Sequence, residues 1–275
     1  MQTERKEEKD KMKKKTVLAL VLVLALSLSL FAGCSSSSDD AQGDTATDDT
    51  AKVYTIATDT TFMPFEFQDD NGNYVGVDVD LLAAIAEDQG FEYELQPLGF
   101  DAACAALESD QVDGVIAGMS ITDVRKEKYD FSDAYFDSGV CVAVKSDSEV
   151  ASLDDLKGQI VAVKTGTEGA TYAESIKDEY ELELKYFEES PLMYQEVLTG
   201  NAVACVEDYP VMGYSIATGN VDLKMVGEKV QGSSYGFAVK KGENAELLSM
   251  FNAGLANLKA SGKYDEIIST YIQGE

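Results

Sequence analysis

Arg125 lies in the segment GMSITDVRKEKYDFSD, residues 118–133, and the chain holds one other arginine, Arg5. A guanidinium is a planar fork of donors that matches a carboxylate, which a lysine point charge does not. The spacing predicts a helix capped by Thr122, with Arg125 in its first turn. A cation there opposes the helix dipole at a cost of about 0.3–1 kcal/mol. An arriving anion would offset that cost, because free backbone N–H groups and the Ser120 hydroxyl stand beside the guanidinium. The competing reading is a surface arginine paired with Asp123 or Glu127.

Three other segments offer polar chemistry. In TDTTFMPFEFQDDNGNYVGVDVD, residues 58–80, Asp59 falls just past a strand end, where open α/β sheets place their ligands. Phe62 follows it, while Phe65 and Phe67 read as core. QDDNGNYVG reads as a hairpin turn on Asn71-Gly72 and lacks the spacing of a calcium loop. In VAVKTGTEG, residues 161–169, Lys164 ends a strand, and a glycine turn leads into a second helix N-terminus able to take an anion. It is not a P-loop; Lys164 could reach a ligand, though the sequence alone favours a solvent-facing lysine. In VEDYP, residues 206–210, Glu207 and Asp208 end a further strand. An acid before Pro210 is also an ordinary helix N-cap.

Composition removes several classes of function. The chain has 275 residues and no histidine, so every Ser-His or Cys-His arrangement is excluded. Its 50 acidic and 22 basic residues give a net charge of −28, which argues against nucleic-acid binding and against an electrostatic hold on anionic lipid. Cys104, Cys141 and Cys205 lie in apolar runs without CxxC spacing and read as buried free thiols. Neither a metal nor a cofactor is expected.

The elements that must position these residues alternate between strand and helix from residue 53 onwards. KVYTIAT is a strand; VDLLAAIAEDQG is a helix closed by Gly90; FEYELQPL is a strand; FDAACAALESD is a helix with Asp101 as N-cap. VDGVIAG is a short buried strand. A second unit begins after GVCVAVKSD and holds SLDDLKG with a Ser152–Asp155 capping box, the strands QIVAVKTG, LKYFE and AVACVED, and helices after each. LKMVG and SSYGFAVKKG read as two further strands before two closing helices. Such alternation predicts an α/β fold with largely parallel sheets, in two lobes. The similar strand endings AVKSDSE and AVKKGEN are candidate chain crossings between them.

The N-terminus reads as an address. KMKKK, then TVLALVLVLALSLSLF, then AGC describe a signal peptide, residues 1–33, since 16 apolar residues fall short of the ~20 that span a bilayer. Either Met1 or Met12 serves as the start. Residues 34–52 are polar and acidic and read as a tether. FAGC resembles the lipobox of bacterial lipoproteins, with Phe31 where leucine is usual; this implies acylation of Cys34 and an anchor on the outer face of the cell membrane.

TDTTFMPFEF, GVDVDLLAAIA, IAGMSITDVRKEKYDFSD, VAVKTGT and YDEI, in this order, resemble the bacterial extracellular solute-binding proteins for polar amino acids, receptors of ABC importers. The resemblance covers nearly all of residues 53–273. It implies a periplasmic-binding-protein-like (Venus flytrap) α/β fold with two crossing hinge strands: lobe I from 53–136 plus 235–275, lobe II from 137–234. It implies a monomer that closes on one free amino acid and docks on permease subunits. Carried over position by position, Arg125 holds the α-carboxylate with Ser120 and the backbone of Thr167 and Glu168. Asp208 and the Gly118 carbonyl hold the α-ammonium, and Phe62 and Phe100 flank the ligand. Asp59 and Lys164 meet a side-chain amide from its two ends, the polarity that glutamine requires. Glu207 departs from the family pattern; it favours a cationic side chain or points outward. The alternative on the same fold is a dehydratase acting on a cyclohexadienyl acid, with Asp59 or Glu207 as the acid.

Overall fold

The computed structural model describes residues 52–272. The signal peptide, Cys34 and all of the tether but Lys52 lie outside these residues. So do 273–275, the last three residues assigned to lobe I.

The chain first builds a sheet from β1 (Val53–Thr58), β5 (Glu92–Pro97), β6 (Gly114–Val115), β7 (Tyr129–Phe131) and β13 (Ala238–Lys240), in the spatial order β5-β1-β6-β13-β7. β1 runs parallel to β5 and β6, and β13 returns antiparallel between β6 and β7. A small sheet of β2 (Thr61–Phe62), β3 (Glu66–Gln68) and β4 (Tyr74–Val75) follows β1. Its hairpin turns at Asn71-Gly72, where the Asp69 carboxylate accepts from the N–H groups of Asn71 (2.9 Å) and Asn73 (2.8 Å).

Helices cover both faces of the first sheet. α1 (Val77–Gln89), α7 (Ala245–Ser261) and α8 (Lys263–Tyr271) bury Leu81, Leu82, Ile85, Leu247, Phe251 and Ile267 against one side. α2 (Phe100–Glu108) buries Ala103, Ala106 and Leu107 against the other. Gly90 ends α1 in the left-handed region, as expected of a C-terminal glycine. Asp101 is not the N-cap of α2: Gly99 holds that position and the helix begins at Phe100, two residues earlier than expected. α3 (Asp123–Lys126) is a single turn, capped by Thr122 as expected.

The second sheet comprises β8 (Phe136–Lys145), β9 (Ile160–Lys164), β10 (Glu183–Phe187), β11 (Ala204–Asp208) and β12 (Leu223–Tyr235), in the order β10-β9-β11-β8-β12. A 3-10 turn at Leu153–Leu156 precedes β9, and the Asp155 carboxylate accepts from the Ser152 N–H at 3.0 Å. The helices are α4 (Glu168–Ile176), α5 (Ser190–Leu198) and α6 (Tyr209–Ala217). Alternation along the strands sorts side chains by size. Val140, Val142, Val144, Val161, Val163 and Val206 face α4, whereas Cys141, Ala143, Ala162 and Cys205 face α5 and α6. The smaller set leaves room for Met193, Tyr194 and Met212. Cys141 and Cys205 are therefore buried free thiols that pack as small apolar groups, and Cys104 is a partly buried one.

The crossings are not at AVKSDSE and AVKKGEN. The first of these leaves the far end of β8, and the second follows β13, wholly within the first sheet. The chain passes between sheets where β8 begins and β12 ends: Tyr235 pairs with Phe136 and Ser233 with Ser138. Here LKMVG and SSY are one 13-residue strand, which shifts register between Val226 and Val230 and again before Ser233. The stacked rings of Phe136 and Tyr235 both meet the edge of Phe65 at 5.0 Å, anchoring the two connecting strands in the core of the first lobe. Among the described residues no helix is long and apolar enough to cross a membrane.

Candidate functional site

Asp59, Lys164 and Asp208 stand at or just past the C-terminal ends of the parallel strands β1, β9 and β11, and Gly118 and Ser120 follow β6. Carbonyl-ended strand edges and the helix N-termini that follow them converge there, which is why open α/β sheets bind ligands at this edge. The two lobes turn these edges towards each other. Asp59, Phe62, Phe100, Ala117, Gly118, Ser120 and Arg125 from the first meet Thr167, Glu168 and Asp208 from the second around one cavity of about 10 Å³. That is room for about one water molecule, so a larger ligand enters only when the walls part. Lys164 sits behind this lining, paired with Asp59.

Arg125 does not bond to Asp123 or Glu127. Its guanidinium donates to the carbonyls of Ser120 (2.9 Å) and Gly166 (3.1 Å), approaches Glu168 Oε1 at 3.5 Å, and lies 5.2 Å from the centre of the Phe100 ring. Two of these partners lie in the second lobe, so the side chain spans the cleft. Thr167 caps α4: its hydroxyl accepts from the Ala170 N–H at 3.3 Å and donates to the Lys164 carbonyl at 2.8 Å. That leaves the first turn of α4 facing the guanidinium.

Lys164 is not solvent-facing. It is 1% exposed, forms an ion pair across the cleft with the equally buried Asp59, and holds its ammonium 5.2 Å from the Phe62 ring centre. Asp59 Oδ1 also accepts from the Thr60 N–H at 2.6 Å. Gly118 requires its lack of a side chain: its φ is +52°, and a Cβ would stand 2.3 Å from Phe62 Cε1.

Glu207 neither lines the cavity nor points outward. It is 1% exposed and faces into its own lobe, where its carboxyl accepts from Ser190 (2.8 Å), Tyr194 (2.8 Å) and the Asp208 N–H (2.9 Å). Its oxygens are occupied, so it acts on the site only through its field, and Lys164 lies close enough to feel it.

Asp208 stands at the N-cap position of α6 but makes no side-chain bond to that helix. Its Oδ2 accepts instead from the Tyr235 hydroxyl, at 2.6 Å. Tyr235, buried where β12 ends, is the site-positioning residue that sequence reasoning missed. No local pattern marks it, because the contact joins positions 27 residues apart in different strands. Ala117 and Gly166 were missed for the same reason.

Burial and the neighbouring Glu207 push the Asp208 carboxyl up to about 7, against the pull of Tyr235 and Arg125. A bound ammonium favours the carboxylate, so below about pH 7 binding must expel a proton. Affinity for an ammonium-bearing ligand is expected to fall about tenfold or more between roughly pH 7 and pH 5. Calorimetry in buffers of different ionisation enthalpy should register proton release at the acid end. Stability without ligand moves the other way. The folded state keeps a proton on Asp208 that the unfolded chain loses near 3.8, so this contribution is complete below that value and is lost as pH rises towards about 7.

Among the described residues no group of three or more Cys, Asp or Glu side chains is arranged to hold a metal ion. The cavity is built to face opposite charges, with a guanidinium on one side and a carboxyl on the other.

The chain is 33% identical over 246 residues to a probable histidine-binding protein of Neisseria gonorrhoeae, covering 88% of this chain and 90% of that one. It is 31% identical over 226 residues to the arginine-binding extracellular protein ArtP of Bacillus subtilis, covering 82% and 88%. The solved structure of an ancestral arginine-binding protein bound to glutamine superposes with a TM-score of 0.74 at 38% identity, covering 81% of this chain and 98% of that one. Residues 54–274 match the family model, and the chain belongs to the bacterial extracellular solute-binding proteins, family 3.

Proposed function

We propose that this protein is an extracytoplasmic receptor of an ABC importer, anchored through a lipidated Cys34, that captures glutamine between its lobes and presents it to membrane permease subunits. The observation that carries the reading is the opposition of Arg125 and Asp208 in one cleft, with the Asp59–Lys164 pair at the same site. The first two match the carboxylate and ammonium shared by every α-amino acid, with Ser120, Gly118, Thr167 and Glu168 alongside. Asp59 and Lys164 then face the side chain with one acceptor and one donor, which suits a neutral amide. Lys164 repels a cationic side chain, and Asp59 repels an anionic one. Phe62 and Phe100 pack its aliphatic part.

The lobe boundaries follow the chain crossings: 53–136 plus 235–275 form one lobe and 137–234 the other. Closure buries the ligand and shifts the population to the form that docks. A monomer suffices, since one chain supplies every wall of the cavity. The dehydratase reading needs a carboxyl placed to donate a proton in the cleft: Asp59 faces the Lys164 ammonium and is placed to accept, and Glu207 is committed to three donors and does not line the cavity. A thermal-shift panel of the twenty amino acids, with prephenate and arogenate added, tests the assignment. Glutamine should give the largest rise in melting temperature, and the two cyclohexadienyl acids should come through unchanged. A larger shift with arginine or histidine, or turnover of either acid, overturns it.

A further inference from the structure

Beneath the site lie two carboxyl groups that the binding mechanism does not use. Glu66 opens β3, and Asp78 is the second residue of α1; both are fully buried. Asp78 Oδ2 accepts from the Gly118 N–H at 2.7 Å and from the Tyr135 hydroxyl at 2.8 Å. Its Oδ1 and both oxygens of Glu66 find no N–H or O–H donor on any other side chain or on the backbone. The Asp78 N–H donates to the Phe65 carbonyl at 2.9 Å, which sets the start of α1 against the start of β3 and brings the two carboxyls near each other.

Two ionised carboxylates here would leave three buried acceptor oxygens without a donor, and unpaired charges buried in a dry core are costly. The other groups facing the pair do not change this. Asp59 adds a like charge to the surroundings of Glu66, Lys164 is already committed to Asp59, and Tyr135 and Tyr235 are neutral phenols.

We propose that Glu66 and Asp78 hold one proton between them at neutral pH, Glu66 as the acid and Asp78 as the carboxylate, and that the pair is a positioning device that fixes Gly118 in the wall of the site. With the proton in place, Glu66 donates to Asp78 Oδ1, and Asp78 then has three donors: Glu66, Tyr135 and Gly118. Tyr135 leads directly into β8, so the same carboxylate ties the site wall to the start of a crossing strand. Burial supports the assignment, pushing the Glu66 carboxyl well above the usual range and Asp78 up to about 6.

The second half of the proposal rests on the amino-acid reading of the site; the shared proton does not. Infrared spectroscopy of the protein at about pH 7 should show the C=O stretch of a buried carboxylic acid that Glu66→Gln removes. Glu66→Gln still donates from its amide to Asp78, so its glutamine affinity should stay within about threefold of wild type, whereas Glu66→Leu has no donor and should lose about tenfold or more. A wild-type spectrum without that band, or a Glu66→Gln protein as weak as Glu66→Leu, overturns the proposal. If wild type fails to bind glutamine, the glutamine reading falls, and the infrared comparison still decides the shared proton.

Discussion

Arg125→Ala is expected to weaken amino-acid binding by more than about a hundredfold, since a desolvated guanidinium–carboxylate contact is worth about 3 kcal/mol or more. Nothing else on the site can replace it: Arg125 supplies the one guanidinium among the described residues, and Lys164 is engaged with Asp59. The loss should be the same for every α-amino acid that binds, because all carry the carboxylate. The fold should survive. The bonded partners of Arg125 are two loop carbonyls and a partly exposed Glu168, none in a core cluster, and Phe100, which lies beside the guanidinium, is held in its own cluster by Ala103 and Leu107. Titration calorimetry measures the affinity, and thermal unfolding tests the fold. Unchanged affinity in a folded Arg125→Ala protein would refute the assignment of the carboxylate.

Lys164→Ala should change which amino acid binds. Losing one partner of a buried ion pair costs about 3–5 kcal/mol, because the other charge stays in place without compensation. Here the stranded charge is Asp59, with the Glu207 field behind it. A ligand that brings its own cation relieves that charge. Glutamine affinity should therefore fall about tenfold or more, and arginine should gain relative to it. Asp59→Ala strands Lys164 instead and should raise glutamate relative to glutamine. Competition among glutamine, glutamate and arginine for each variant reads both shifts. If the three ligands lose affinity in equal proportion, these residues do not read the side chain, and glutamine specificity must come from elsewhere in the cleft.

Much of the fold was legible because its causes are local. Thr122 caps α3 and Gly90 closes α1 through contacts within one helical turn. The buried strands announced themselves as short apolar runs bounded by turns. What went wrong also has a local cause. Gly99 starts α2 without a capping side chain, so Asp101 drew the reading to the wrong residue. β12 was split in two because the register shifts around Val230 break its alternation. The crossings were misplaced because AVKSD and AVKKG are alike as text, while their strands belong to different sheets.

The site divides along the same line. By itself the sequence determined which groups were available: one guanidinium in the folded part, a helix start with a misplaced cation, acids at strand ends and no histidine. These follow from residue type and from spacing along the chain. Only tertiary structure decided who faces whom. Lys164 meets Asp59 across 105 positions, Tyr235 reaches Asp208, Glu207 turns into its own lobe, and Glu66 finds Asp78. Each outcome depends on burial, which sets how strongly charges interact and which of them can remain charged. Burial comes from the packing of two sheets whose strands are far apart in the chain, and no local stretch of sequence carries that information.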